Sequence, residues 1–558
     1  MCCVIRREKM NAELSKRIKE IAVALVSQKS IVETYDEVTM SDKVYELMSE
    51  MDYYKEHPDK LYFVPVKDDP WNRKIVVAVM TGEKKPSDKT VVFIGHTDTV
   101  GISDYGNLAE YATRPDELID KLKEVSLTQE VKDDMASGKY MFGRGIFDMK
   151  SGDANIIGIM EYISKDIKNF EGNIVFAAVC DEEGNSQGML TFVPELIRLK
   201  EKFGFDYQAM LDPDYIAPAY PGDPNVYQYI GTVGKLMPTF YIVGKETHVG
   251  ESFSGLDPNQ IAAEITRRVN LNPEFSDVVE GEVTLPPITL KQRDLKPEYS
   301  VQIASKAILF FNYATHSSTP ADVMNKMVET GQECFENVVA ALNERYEKFC
   351  HMSGRDYKAL PWKARTMSFD SLVSEVRKEI GDGLDDMIKA YAKDIMKDSR
   401  YDARDKTMKV VEYVHSLWSD KNPVLIVYLT PPYYPHIYVE GTSPKEKVLI
   451  DAVNYAVTTT KSDYKLMQKK FLPCISDLSY AAAPKEPQAI EALKQNMPGF
   501  GVIYDLPIEE MQELDLPVAD IGAYGKDAHQ FTERVETVYS YEVLPEILYK
   551  TMMHILQQ

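Results

Sequence analysis

Five residues of metal-binding type stand where short apolar runs end: His96, Asp148, Glu183, Asp212 and His529. Two imidazoles and three carboxylates suit a pair of zinc-like ions. Each ion would take one histidine, one terminal carboxylate and a share of a bridging carboxylate, with water completing the shell. Asp148 is the candidate bridge. It lies in MFGRGIFDMKSGD, between a turn carrying Gly143 and Gly145 and the start of a helical pattern, although an Asp before a helix is by itself more often a cap. His96 and Asp98 close the run VVFIGHTDTVG. Two residues apart, they leave the same side of an extended segment, so Asp98 can accept a hydrogen bond from a His96 whose other nitrogen binds metal. Asp181-Glu182-Glu183-Gly184 follows another buried run, and neighbouring side chains there diverge, so one glutamate can bind metal while the other carries a proton. Asp98 and Glu182 are then unliganded neighbours of the ions.

The elements that must position these residues read as α/β. Residues 11–28 form an amphipathic helical pattern through Leu14, Ile18, Ile21, Ala22 and Leu25, and a second helix covers 41–52. Short apolar runs bounded by Pro, Gly or Asp, at 61–66, 74–80, 90–95, 173–179 and 207–211, read as strands of one sheet. In such sheets ligand sites gather at the carboxyl ends of strands. Helices are expected after Asp148, through Ile156, Ile157, Met160 and Ile163, and at 187–202. From about Gly231 a compact strand-and-helix unit follows, with strands near 283–293 and 299–313 and a long helix at 320–349. Residues 372–420 are helical and charged and show no chemistry of their own, and 423–439 resumes strand character around a Pro-Pro turn. The reading divides the chain into 1–231, an inserted unit 232–371, and 372–558 as a helical extension followed by the second part of the first domain.

A chain of 558 residues with 44% hydrophobic content builds more than one core. Its 87 acidic against 64 basic residues, a formal charge of -23, disfavour nucleic acid and anionic membrane surfaces. Six irregularly spaced cysteines define neither a disulfide framework nor a cysteine zinc site. The start MCCVIRREK lacks the apolar stretch of a secretory signal, and no run is long enough for a membrane span. A cytoplasmic location is expected, with Cys2 and Cys3 as small terminal residues rather than lipidation sites.

HTDTV (His96 to Val100), GRGIFDMKSG (Gly143 to Gly152), DEEG (Asp181 to Gly184), Asp212-Pro213 and GKDAHQFTE (Gly525 to Glu533) resemble, in order, the metal-site motifs of the co-catalytic zinc peptidase family. Aminoacylase, glutamate carboxypeptidase and succinyl-diaminopimelate desuccinylase belong to it. The segment GTVGKLMPTFYIVGKETHVGESFSGLDPN looks like the opening of that family's lid domain, and the length and closing YGKDAHQFTERVE are similar to its arginine-utilisation branch. The resemblance implies an α/β zinc-peptidase catalytic domain, a central mixed sheet flanked by helices, with an inserted α+β lid. It implies two divalent ions, zinc first and cobalt or manganese as alternatives, with His96 and Asp212 on one, Glu183 and His529 on the other, and Asp148 between them. It also implies a cis peptide after Asp148, Asp98 orienting His96, Glu182 as general base, and His248 reaching a substrate oxygen, in many relatives from a partner subunit. The expected activity is hydrolysis of an amide in a small molecule by a metal-activated water, and the expected assembly is a homodimer through the lid. The alternative of a different class is a non-catalytic metal- or ligand-binding protein that keeps the fold. Two departures stand out. The late lid strand reads FFNYATHSS, with Asn312 and Tyr313 where relatives commonly carry an Arg for a substrate carboxylate, leaving Arg293 as the available substitute. Ala523-Tyr524-Gly525 replaces a usual Gly-Pro-Gly. His57, His316, His351, His415, His436 and His554 read as structural.

Overall fold

The computed structural model describes residues 2–558, with side chains from residue 12 onward. The side chains of Cys2 and Cys3 lie outside the described set. The chain divides into two compact units. One is Met1–Thr232, Ile437–Ala483 and Pro507–Gln558, and the other is Val233–His436 and Pro484–Leu506.

The first unit is built on a nine-stranded mixed sheet. Strand Leu61–Pro65 lies at one edge, followed by Lys74–Thr81, Asn173–Val179, Lys89–His96, Asp206–Asp212, Val518–Asp520, Asn225–Thr232 and Ile437–Tyr438, with Lys465–Lys469 also pairing with Asn225–Thr232. Its centre is parallel: Lys89–His96 runs alongside Asn173–Val179 on one side and Asp206–Asp212 on the other. Every residue of Asn173–Val179 is buried, as is all but the first of Lys89–His96. Uninterrupted burial of this kind marks strands covered on both faces and explains why their sequences are continuously apolar rather than alternating. The covering helices include Cys2–Ser27, Ser151–Ser164 and Gln187–Phe203. Gly158 lets the first two approach closely, because a Cβ there would stand 2.5 Å from Ile18 Cγ1. The second helix begins at Asp36 and ends at Ser49, earlier than the expected 41–52. The acidic first-turn residues Asp36 and Glu37 start it before its apolar periodicity becomes visible.

The second unit holds a six-stranded sheet ordered Ile288–Asp294, Lys306–Thr315, Pro238–Val243, Val424–Leu429 and Thr366–Ser368, with Gly234–Leu236 pairing with Lys306–Thr315. Helix Pro320–Ser353 starts with a reciprocal cap between Thr319 and Asp322 and has a proline in its first turn. It ends at Gly354, whose φ is +66°. The division expected at residue 371 does not mark a unit boundary, for residues 372–436 cluster with this second unit. The reason is packing. Helices Phe369–Ile380 and Ala403–Leu417 bury Leu372, Val376, Val411 and Val414 against Tyr241, Ile426 and Tyr428 of the sheet. The charged residues of 372–420 are only the outer faces of helices whose apolar stripes complete a core.

Among the described residues no helix is long and apolar enough to cross a membrane.

Candidate metal centre

Three segments at the carboxyl ends of parallel strands, one turn before a helix and one hairpin converge in the first unit. His96 is the last residue of Lys89–His96, Glu183 follows Asn173–Val179, and Asp214 follows Asp206–Asp212. Asp148 comes from the turn leading to helix Ser151–Ser164. Gly145 in that turn has a φ of +77°, and a Cβ there would lie 2.6 Å from Thr99 Cγ2, so neither backbone nor space admits a side chain. His529 is carried by the excursion between Gly525–Lys526 and Arg534–Glu536, and the latter pairs with Tyr140–Phe142, the strand that leads to Asp148. One three-stranded sheet thereby fixes residues almost four hundred positions apart.

The Asp148 carboxylate presents one oxygen to each imidazole: Oδ1 is 2.9 Å from His96 Nε2 and Oδ2 is 3.0 Å from His529 Nε2. Glu183 Oε1 lies 2.9 Å from the same His529 nitrogen, and Asp214 Oδ1 lies 3.9 Å from His96 Nε2. Two trios result, His96–Asp148–Asp214 and Asp148–Glu183–His529, with the ligand atoms of each within 4.8 Å of one another and Asp148 common to both. The donor set fits two divalent cations. His96 Nδ1 faces the Asp98 backbone carbonyl at 3.2 Å; donating there leaves the Nε2 lone pair directed at carboxylate oxygens, an arrangement a shared cation makes favourable. Burial alone would raise the Asp148 carboxyl, but hydrogen bonds from His529 and His96 outweigh it and hold it well below the usual range. The same contacts, from Asp148 and then Glu183, push His529 up to about 10.

Asp212 does not join this group. It ends its strand in register with Asp520 of the neighbouring strand, and its Oδ2 accepts a hydrogen bond from Ser476 Oγ at 3.0 Å. Pro213 then turns the chain and brings Asp214 to the centre. Asp98 also differs from expectation. Its Oδ1 stands 3.8 Å from His96 Nδ1, while its two oxygens accept the backbone N–H groups of Glu182 (3.2 Å) and Glu183 (3.0 Å). The Asp98 backbone orients the histidine, and its carboxylate holds the glutamate turn.

Glu182 is half-buried and belongs to neither trio. Burial raises its carboxyl well above the usual range, His96 opposes this, and Asp477 and Glu183 add to it. Two further residues matter that carry no obvious signal in the sequence. Glu533 Oε1 accepts the N–H groups of Phe147 (3.2 Å) and Asp148 (3.4 Å), and Arg144, almost wholly buried, joins Glu533 (2.7 Å) to Asp104 (2.8 Å). Arg144 and Glu533 sit within the GRG and TE portions of two motifs, which is the only hint the sequence offers. The Asp148–Met149 peptide is cis, as expected.

In the second unit His248 is exposed and precedes the short helical turn Val249–Ser254, its Nδ1 accepting the Gly250 N–H at 3.1 Å. Arg293 is paired with Asp405 at 2.8 Å, so it is not a free grip for a carboxylate. Asn312 and Tyr313 lie in strand Lys306–Thr315, and Tyr313 is buried.

The first unit thus joins a mixed α/β sheet to two histidine-carboxylate trios that share one aspartate. In keeping with that, the sequence profile of peptidase family M20/M25/M40 matches residues 92–554, and the chain belongs to this family. It is 32% identical over 545 residues to protein RocB of Bacillus subtilis, covering 97% of this chain and 95% of that one. Among solved structures, aminopeptidase PepT from Bacillus cereus superposes with a TM-score of 0.51 at 12% identity, over 97% of this chain and 98% of the other. The di-peptidase Dug1p from Saccharomyces cerevisiae gives 0.50 at 11% identity, over 99% and 98%.

Proposed function

We propose that the protein hydrolyses an amide bond in a small substrate: a dipeptide, an N-acyl amino acid or an arginine-related metabolite. His96, Asp148 and Asp214 would hold one divalent ion, and Asp148, Glu183 and His529 the other. The observation that carries this reading is the Asp148 carboxylate, which directs one oxygen at each imidazole. Membership of a peptidase family supplies the reaction class.

Bound divalent ions supply an acidified water and a polarised carbonyl at neutral pH. The chain supplies the rest. Glu182 belongs to neither trio, so its carboxylate is available to accept the proton of the attacking water and pass it to the departing amine. Asp98 fixes the two backbone amides from which Glu182 and Glu183 project. His248 is assigned to donate to the substrate carbonyl oxygen as negative charge develops there.

Protein purified without chelator should contain close to two zinc ions per chain by mass spectrometry and should cleave members of an amide panel in a chelator-sensitive way. Glu182→Gln should keep its metal and lose turnover by about 100-fold or more. A Glu182→Gln protein that turns over normally would remove the proton carrier from the scheme. Well-folded protein that takes up no zinc on reconstitution would remove the metal centre and favour the non-catalytic alternative.

A further inference from the structure

The Glu182–Glu183 turn is braced from behind by residues upstream of position 92, where the family match begins. Three successive backbone amides of the turn donate to buried carboxylates. Asp181 N–H binds Glu37 Oε2 at 2.9 Å, Glu182 N–H binds Asp98 Oδ1 at 3.2 Å, and Glu183 N–H binds Asp98 Oδ2 at 3.0 Å. Behind them sits Arg73, only 4% exposed. Its Nη1 donates to Glu37 Oε1 (3.0 Å) and Asp181 Oδ1 (2.7 Å), while Nε (2.9 Å) and Nη2 (2.7 Å) both reach Asp69 Oδ1. The remaining Asp181 oxygen accepts the Gln187 N–H at 3.2 Å. Asp181 itself has a φ of +68°, a conformation that a non-glycine residue adopts only where its surroundings impose it.

The same upstream segment is laced to the His96 loop. Ser30 Oγ donates to the Thr97 carbonyl at 2.6 Å, Thr99 N–H to the Ser30 carbonyl at 2.9 Å, and Val32 N–H to the Thr99 carbonyl at 2.9 Å. Lys150, two residues beyond Asp148, donates to the Gln28 carbonyl at 2.9 Å. One short stretch, 28–37, therefore touches all three strand-end or turn segments that carry His96, Asp148 and Glu182.

We propose that Arg73 and Glu37 are positioning residues that hold the Asp181–Glu183 backbone in the conformation from which Glu182 can reach the reacting water. The physical case is one of geometry and charge. The planar Arg73 guanidinium makes four hydrogen bonds in fixed directions to three carboxylates, a number and spread that the three donors on a single lysine nitrogen do not match. Without it, Glu37, Asp69 and Asp181 would share a buried space with no compensating cation. The turn would relax, and a displacement of about 1 Å in a proton carrier costs on the order of 100-fold in rate. The inference rests on Glu182 being that carrier.

The test uses full-length, zinc-loaded Arg73→Met, Arg73→Lys and Glu37→Gln, with Leu199→Ala in helix Gln187–Phe203 as a core control for lost stability. Two readouts are taken: hydrogen exchange in peptides spanning 180–187 by mass spectrometry, and kcat and KM on the best amide from the panel, normalised to bound zinc. Arg73→Met is expected to speed exchange in 180–187 by about tenfold or more and to lower kcat by roughly 30- to 100-fold, with KM within about threefold. Arg73→Lys should fall between it and the parent, and so serves if the methionine variant does not fold. Leu199→Ala should lose thermal stability but keep its kcat. Unchanged exchange at 180–187 in the Arg73 variants overturns the brace, and faster exchange with normal kcat overturns its catalytic consequence. If the parent cleaves no amide, the functional reading has failed on its own, while the exchange measurement still decides whether the brace exists.

Discussion

Asp212 and Asp214 are separated only by Pro213, and the proline decides which carboxylate reaches the centre. Up to Asp212 the chain keeps strand geometry, which delivers that side chain to Ser476 and Asp520. Beyond it the turn sends Asp214 to within 3.9 Å of His96 Nε2. Substituting Asp214→Asn should reduce bound zinc from about two per chain toward about one and lower turnover by 100-fold or more, because a first ligand is lost. Asp212→Asn should retain both ions and change mainly stability. Mass spectrometry of the two variants after zinc reconstitution and desalting checks this, and loss of an ion from the Asp212 variant alone would reverse the assignment. At this scale His96, Asp148, Glu183 and His529 were legible in the sequence because each ends a run or closes a motif. The choice between two acids around a proline was not, because backbone alternation cannot be extrapolated through a turn. Nor were Arg73 and Glu37, whose shared partner Asp181 lies more than a hundred residues away along the chain.

At the scale of elements, strands and helices with continuous or periodic apolar content were readable, as with Asn173–Val179 and Gln187–Phe203. Helices with mixed faces were readable as helices but not as parts of a particular core. Ala403–Leu417 shows this and supports a pH prediction. His415, near its end, is buried against Tyr241 and Trp418, and burial followed by the positive charges of Lys421, Lys306 and Arg365 lowers it from 6.5 to about 4, with Asp420 as the opposing acid. Above pH 6.5 this imidazole is neutral in both folded and unfolded chains and contributes no pH dependence. Between pH 6.5 and about 4 the unfolded chain takes up the proton and the folded one does not, so the second unit loses up to about 3 kcal/mol as pH falls. Denaturant melts at pH 7 and 5 should show about 2 kcal/mol of that loss, and His415→Gln should flatten it; an identical slope in the variant would assign the pH dependence elsewhere. The long helix Pro320–Ser353 gives a simpler check. Thr319→Ala removes its reciprocal cap and should cost about 1 kcal/mol, read as a lower denaturant midpoint with unchanged slope.

At the scale of the whole molecule, the expected end of the inserted unit at residue 371 falls short of the observed one. Residues 372–436 carry no strand pattern until Val424–Leu429, and that strand pairs with Pro238–Val243 nearly two hundred residues earlier. The return of Pro484–Leu506 to the same unit is equally non-local. Long-range pairing of this sort leaves no mark in local periodicity. The same sheet offers the best argument for assembly. Strand Ile288–Asp294 stands at its edge, with Ile288 and Leu290 about half exposed and Leu285 and Tyr299 more so in the flanking segments. An edge strand whose first half exposes Ile288 and Leu290 offers its open backbone edge to another chain, and the occupant we propose is the same strand of a second copy, which two-fold symmetry makes self-complementary. Light scattering after size-exclusion chromatography should give a dimer at micromolar concentration, and Leu290→Lys together with Ile288→Lys should give a folded monomer. If His248 acts on the partner's metal centre, mixing His248→Ala subunits with Glu182→Gln subunits should restore activity toward about a quarter of the parent level, because random exchange makes half the molecules heterodimers and each has one intact centre. Verified exchange without recovery would count against action across the dimer, and a parent that stays monomeric would remove the edge-strand dimer altogether.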